Sequence, residues 1–422
     1  MDKSLTNQKT LLVYLTVRSL ENTGPLVEFR ELVVSAGRHI ACEICLSRSE
    51  IHAASFLGEG QVTRVKEELA GYDGVDEVII NHALTSVQVR NLSKALSCRI
   101  LDRTDLILDI FAQRARTFEG KLQVELTQLQ HQATRLVQQS GHYDQQRGGI
   151  GVRGGAGETG LEVDRRVLRQ RITKVKKRLE HIRDSRELGR QRRQRSHLPT
   201  IALVGYTNAG KSTLFNALSQ SNAYADDRLF ATLDPTLRRA IVPEFGEVVL
   251  ADTVGFIQHL PPQLIDAFRA TLEETVQADL LLHVVDGVSE DYLLRIEQVN
   301  EVLAEIGADK VPQLLILNKA DLLKNKVLEC DHRGIWLSAA KQTGFAKLYE
   351  KILDQVGGEA VDTVLRIPMS KADVRAELHR LRTVRSERYD ENWAWIHVKG
   401  SSTVLSHALD RYGLSLTQCK QY

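Results

Sequence analysis

Gly205-Tyr206-Thr207-Asn208-Ala209-Gly210-Lys211-Ser212 follows the apolar run Ile201 to Val204 and leads into Thr213, Leu214, Phe215 and Asn216. A buried strand, a turn with a glycine at each end and then a helix is the order that wraps backbone N–H groups around a triphosphate. The spacing assigns Lys211 to the β and γ phosphates and the Ser212 hydroxyl to Mg²⁺. The positive end of the helix that begins there faces the anion.

Downstream, Gly246 to Leu250 leads into Asp252-Thr253-Val254-Gly255-Phe256. A carboxylate at a strand end, Asp252, can hold a water on Mg²⁺, and Gly255 can offer its N–H to the γ phosphate. Between these motifs lies Leu229-Phe230-Ala231-Thr232-Leu233-Asp234-Pro235-Thr236. A threonine hydroxyl there could complete the Mg²⁺ shell when the γ phosphate is present, and Thr232 and Thr236 are both candidates. A further buried strand, Leu314 to Leu317, ends in Asn318-Lys319-Ala320-Asp321. Asp321 can accept two hydrogen bonds from the N1 and N2 edge of guanine, a pattern adenine cannot offer. The Lys319 stem can cover the base, and Leu337-Ser338-Ala339 can supply an N–H to the guanine O6. Four short motifs in this order at strand ends of one α/β domain imply a GTP site.

Upstream of the loop the chain reads as long helix. Leu122, Leu126, Leu129, Ala133 and Leu136 form a narrow heptad seam, and Leu161, Leu168, Ile172, Val175, Leu179 and Ile182 repeat its spacing. Two such seams imply an antiparallel hairpin projecting roughly 40 Å at about 1.5 Å per residue. Its tip, residues 147–160, is rich in glycine and carries Arg147 and Arg153. The second arm carries Arg165, Arg166, Arg169, Arg171, Lys174, Lys176, Lys177 and Arg178, with few acids among them, which implies an RNA-facing surface. His197-Leu198-Pro199 closes the arm.

Ahead of the hairpin, strand-like runs at Leu11 to Val17, His39 to Leu46, Val78 to Ile80 and Arg99 to Leu101 alternate with helical stretches, as in a small parallel α/β domain. Gly58-Glu59-Gly60 reads as a turn opening a helix. Cys42 and Cys45, a lone C-x-x-C on a strand, would point to opposite faces and read as small buried hydrophobes.

The 422 residues allow two or three domains, and a formal net charge of +2 requires any nucleic-acid partner to be met by a local basic face. Five scattered cysteines argue for a reducing, cytoplasmic setting. The first apolar run reads as a strand rather than a signal peptide, and no stretch is long enough to span a membrane.

These motifs resemble the HflX family of translation-associated GTPases in the Obg-HflX group. The resemblance runs from the N-terminal domain to about residue 355. It rests on Gly205 to Ser212, on Phe230-Ala231-Thr232-Leu233-Asp234-Pro235-Thr236-Leu237-Arg238, on Asp252 to Phe256 and on Asp109-Ile110-Phe111-Ala112-Gln113-Arg114-Ala115. It implies that Thr232 is the switch threonine on Mg²⁺. It also implies that the hairpin docks on the large ribosomal subunit and its rRNA, the tip reaching toward the peptidyl transferase centre, and that the GTP form splits stalled ribosomes. The family tip usually reads Arg-Gly-Pro-Gly-Glu-Thr-Gln-Leu-Glu. Here Arg153-Gly154-Gly155-Ala156-Gly157-Glu158-Thr159-Gly160-Leu161-Glu162 is longer and lacks the proline, so ordering it on a target should cost more. Phe256 stands where many GTPases place a water-orienting glutamine, so hydrolysis should be slow alone and faster on the ribosome. No residue can be named as a general base.

The C-terminal remainder reads as strand (Thr363 to Ile367), charged helix (Ser370 to Arg385), strand (Trp393 to Val398) and helix (Ser402 to Arg411). Trp393 and Trp395, alternating on a strand, read as core or docking residues. The expected fold class is α/β: residues 1–105 an α/β subdomain, 106–197 a long antiparallel helical hairpin, 198–358 a P-loop GTPase domain and 362–422 a small α/β domain. A monomer is the default, since the two seams can satisfy each other. A ribosome-assembly or RNA-modification GTPase, or a regulatory switch for a protein partner, is the competing reading.

Overall fold

The computed structural model describes residues 8–18, 25–145, 160–195, 198–220, 229–230, 232–233, 236–243, 245–257, 272–323, 333–356, 360–381 and 383–421. The chain divides into two compact units, Met1–Ser185 with Arg228–Leu233 and Gln258–Phe268, and Arg186–Asp227 with Asp234–Ile257 and Arg269–Tyr422.

In the first unit, β1 (Lys9–Val17), α1 (Leu26–Ser35), β2 (His39–Arg48), α2 (Glu59–Gly71), β3 (Glu77–Ile80), α3 (Ser86–Leu96) and β4 (Arg99–Asp102) build a parallel sheet of order β2-β1-β3-β4. β1 is apolar almost without interruption because both of its faces are covered. Leu11, Val13 and Leu15 enter one core with Ile44, Val78 and Ile80. Cys42 packs against that core, whereas Cys45 is exposed. The two thiols do point apart, but β2 is an edge strand, so the reading of both as buried fails for Cys45.

Helix α4 (Arg103–Arg114) begins where β4 ends and so spans the boundary expected at 105/106. Asp102 caps it by accepting from Asp105 N–H at 2.8 Å. Arg135 of α5 (Phe118–Gln145) donates to Asp102 at 3.0 Å and to Asp105 at 2.8 Å, tying the hairpin to the sheet domain. α5 and α6 (Gly160–Arg195) meet through Leu122, Leu126, Leu129 and Val175, with Leu168, Ile172, Leu179 and Ile182 alongside, which is the seam read from the heptads.

In the second unit, β5 (Thr200–Val204), α7 (Lys211–Ser219), β6 (Thr236–Val242), β7 (Gly246–Asp252), β8 (Leu280–Asp286), α8 (Tyr292–Glu305), β9 (Gln313–Asn318), β10 (Ile335–Trp336) and α9 (Phe345–Val356) form a P-loop GTPase fold. The sheet order is β10-β9-β8-β5-β7-β6, parallel except for β6. The remainder folds as β11 (Ala360–Pro368), α10 (Ala372–Arg380), β12 (Val384–Tyr389), β13 (Trp393–Ser401), α11 (Ser402–Asp410), the short α12 (Leu416–Cys419) and β14 (Lys420–Gln421). Its antiparallel sheet runs β12-β13-β11-β14. The helix read as far as Arg385 ends at Arg380, and Val384 and Arg385 open strand β12, which the sequence reading did not include. An edge strand of mostly polar residues such as this one lacks the apolar alternation that marks a strand in sequence. Leu365, Ile367, Ala394, Ile396 and Val398 line one face and pack with Val374, Leu378, Leu405 and Leu409 of the helices. Trp393 and Trp395 alternate with these and lie half-buried on the other face, so they are not core. Among the described residues no helix is long and apolar enough to cross a membrane.

Candidate nucleotide site

The loop from Gly205 to Gly210 connects β5 to α7 at the carboxyl end of the parallel strands, where open α/β sheets hold ligands. Gly210 has φ +91°, and a side chain there would run into the Asn318 amide. At Gly255 the need is space: an added Cβ would stand 2.8 Å from Thr207 Cγ2 and 3.0 Å from Lys211 Nζ. The segment after β7 is laced to the loop, since Thr207 N–H donates to Phe256 O at 2.7 Å and Phe256 N–H donates to Gly205 O at 3.1 Å.

Lys211 is buried and its ammonium donates to Gly205 O at 3.0 Å and Tyr206 O at 2.7 Å. Desolvation lowers its pKa to about 8 against the opposing pull of Asp252. The pocket is thus short of negative charge, the condition a triphosphate would relieve. Ser212 Oγ donates to Asp252 Oδ2 at 2.8 Å, which sets side by side the hydroxyl and carboxylate suited to a hydrated Mg²⁺. Thr207 Oγ1 is buried with no hydrogen-bond partner among the described residues, and this too fits a polar ligand atom. Thr253 Oγ1 donates to Leu203 O at 2.6 Å, holding the strand end in register.

The segments Asn318 to Asp321 and Ser338-Ala339, expected to meet the base, form one network. Asn318 donates to Ala209 O at 2.9 Å and accepts from Ala339 N–H at 3.0 Å. Ser338 Oγ donates to Asp321 Oδ1 at 2.6 Å, and this bond, first among its influences, holds the Asp321 carboxyl below the usual range. Lys319, at φ +65°, pairs with Asp286 at 2.9 Å.

Of the switch segment, Leu229–Leu233 groups with the first unit. Leu229 N–H donates to Ser35 Oγ at 3.1 Å, and the buried Phe230 ring meets Phe111 edge-on at 4.6 Å between centroids. Thr236 opens β6 and pairs with Asp252 in the ladder, while Thr232 lies ahead of that strand. Ala231, Asp234, Arg147 and Arg153 lie outside the described residues. Arg166 and Arg169 are exposed on α6 and Arg165 is half-buried there.

Sequence reasoning passed over His283. It stands opposite Val204 in the β5–β8 ladder, is 2 % exposed, and has Nε2 buried without a partner among the described residues. Burial, aided by the Lys211 charge, lowers its pKa to about 4. The only signal was one imidazole in the middle of the apolar run Leu280 to Asp286. Arg295, from α8, lies 5.1 Å from the Tyr206 ring centroid and was also missed.

Residues 24–112, 114–193 and 200–319 match the families described as GTP-binding GTPase N-terminal, GTP-binding GTPase Middle Region and 50S ribosome-binding GTPase. The chain is 46% identical over 397 residues to GTPase HflX of Escherichia coli (strain K12), covering 93% of each protein. It is 42% identical over 391 residues to GTPase HflX of Caldanaerobacter subterraneus subsp. tengcongensis, covering 93% of this chain and 91% of that one. Among solved structures it is similar to the SsGBP–GDP complex, with 26% identity, a TM-score of 0.47, and 82% of this chain and 98% of that chain covered.

Proposed function

The chain belongs to the GTPase HflX family and is a GTP hydrolase, and from that premise we propose that its GTP form docks on the large ribosomal subunit and separates stalled ribosomes into subunits. The observation that carries this reading is α6. Arg166, Arg169, Arg171, Lys174, Lys176, Lys177 and Arg178 are all exposed along a helix whose opposite stripe is packed on α5. Such a face matches an RNA backbone and makes affinity strongly salt-dependent.

GTP lies with its phosphates on Gly205 to Thr213 and its base on Asn318, Lys319, Asp321, Ser338 and Ala339. Mg²⁺ would be held by Ser212 and, through water, by Asp252, with Thr232 as the ligand that the family resemblance adds, and it would neutralise charge on the phosphate oxygens. Lys211 and the Gly255 N–H meet the γ phosphate. The stretch Phe230 to Asp234 would sense it. Phe256 is buried and has no group that can orient an attacking water, so hydrolysis is slow until a partner orders the loops.

Purified protein loaded with a non-hydrolysable GTP analogue should convert intact ribosomes into subunits on a sucrose gradient and remain with the large one. Ribosomes that stay intact under saturating protein would overturn the splitting role and favour an assembly role. GTP turnover should rise on adding large subunits, and a full rate in their absence would remove the function assigned to Phe256.

A further inference from the structure

The C-terminal domain has the element order β11-α10-β12-β13-α11-β14, with the brief α12 before the last strand, and the sheet order β12-β13-β11-β14. This is the split βαβ arrangement, with both long helices on one face of the sheet. The same arrangement underlies sheets that take single-stranded RNA on the open face through aromatic side chains. Fold alone assigns nothing, so the open face has to be read residue by residue.

Strand register puts Arg366 of β11 and Arg388 of β12 directly opposite Trp395 of β13, one on each side. The row therefore reads arginine, tryptophan, arginine across three strands. Trp393 stands two residues back on the same strand and the same face, about 6.8 Å away along the backbone. That spacing is close to twice the thickness of an aromatic ring. The Arg366 guanidinium lies 3.8 Å from the Trp393 ring centroid and 5.5 Å from that of Trp395. Trp395 Nε1 donates to Asp390 at 3.0 Å, and Asp390 also accepts N–H from Asn392 and Trp393, so the indole is held in place before any ligand arrives. The acids here are Asp390, engaged as described, and Asp362, which lies opposite Lys399 and is paired with His397 at 2.6 Å. Arg366, Arg388 and Lys399 are exposed.

We infer that the open face of the C-terminal sheet binds single-stranded RNA, with a base stacked on Trp395 and phosphates on Arg366, which is itself held against Trp393, and on Arg388. The occupant is chosen by charge and shape together. An indole between two arginines suits a planar base on an anionic backbone, whereas an apolar protein helix would have to bury both guanidinium groups. The site shares no residue with α6, so the two can be tested apart.

The test uses the full chain with W336F, so that Trp393 and Trp395 are the only emitters among its three tryptophans. A twelve-nucleotide uridine RNA is titrated in while tryptophan emission is read, with fluorescein anisotropy of the same RNA in parallel. The expected result is saturable quenching, with a blunt RNA duplex of equal length leaving emission unchanged. R366Q/R388Q should raise the RNA concentration at half-quenching on the order of tenfold and flatten its salt dependence. W395A should weaken binding to a similar degree. The arginine variant keeps the inference testable should the tryptophan change disturb the sheet. RNA binding seen by anisotropy with emission unmoved would overturn the inference, because all binding would then belong to the arm. Equal quenching by the duplex would overturn base stacking. Quenching by isolated ribosomal proteins but not by RNA would make the face a protein-docking surface, and would overturn it as well.

Discussion

The two sheets of the second unit use opposite parts of themselves. In the six-stranded sheet the middle strands are covered on both sides: every residue of β5 after Thr200, and every residue of β8 before Asp286, is buried. With no free face, such a sheet can work only at its strand ends, where Lys211, Asp252, Asn318 and Ser338 stand. In the C-terminal sheet β13 alternates, with Ala394, Ile396 and Val398 buried and Trp393, Trp395 and His397 half-exposed between them. Helices cover one side only and leave a surface. Sheet topology thus decides whether chemistry gathers in loops or on a plane.

The sharpest way to break this contrast is to disable one site and watch the other. K211A should weaken GTP binding on the order of 100-fold by calorimetry, since it removes a charged partner of the phosphates, and leave tryptophan quenching by RNA unchanged. Loss of both would mean that the two sheets do not act independently.

The next largest effect separates the two faces of β13. I396A should lower stability by about 2–4 kcal/mol in urea unfolding, as expected for a fully buried side chain. W395A, one residue away on the other face, should cost less than about 1 kcal/mol. Similar costs would mean that the second face is covered too.

A smaller effect probes the dry interior of the six-stranded sheet. His283 titrates near pH 4, below its ordinary 6.5. A neutral ring is favoured in the folded state, so its contribution is complete above pH 6.5 and is lost as pH falls toward 4. Between pH 7 and 5 this residue should remove about 2 kcal/mol of stability. H283Q should flatten that slope in the unfolding of the GTPase domain.

The smallest signal is a proton count. With Lys211 near pH 8 in the free site, GTP binding at pH 8.5 should take up roughly three quarters of a proton, read by calorimetry in buffers of different ionisation enthalpy. Zero uptake would mean that the ammonium is already fully charged without its ligand.

The strand-end residues were legible in sequence because each motif is contiguous: a few residues set one loop, and Gly210, Lys211 and Ser212 announce their geometry by spacing alone. The heptad seam was legible for the same reason, a local period. What escaped depends on register. Arg366 is distant in sequence from Arg388 and Trp395, and the three come into one row only through two antiparallel ladders. β12 escaped because Val384 to Tyr389 is mostly polar, and the role of His283 because nothing in the run Leu280 to Asp286 says what lies across the sheet. The glycine-rich tip, the most unusual stretch of the chain, falls outside the described residues except for Gly160, which opens α6.

Asn318 reaches in two directions, its amide nitrogen to the phosphate loop at Ala209 and its oxygen to the base loop at Ala339. One planar group therefore cannot turn toward one loop without letting go of the other. If a purine fails to seat against Ser338 and Ala339, the slack is transmitted to the grip on its phosphates. On the proposed placement of the nucleotide, a mismatched base would therefore strain both contacts of this one amide.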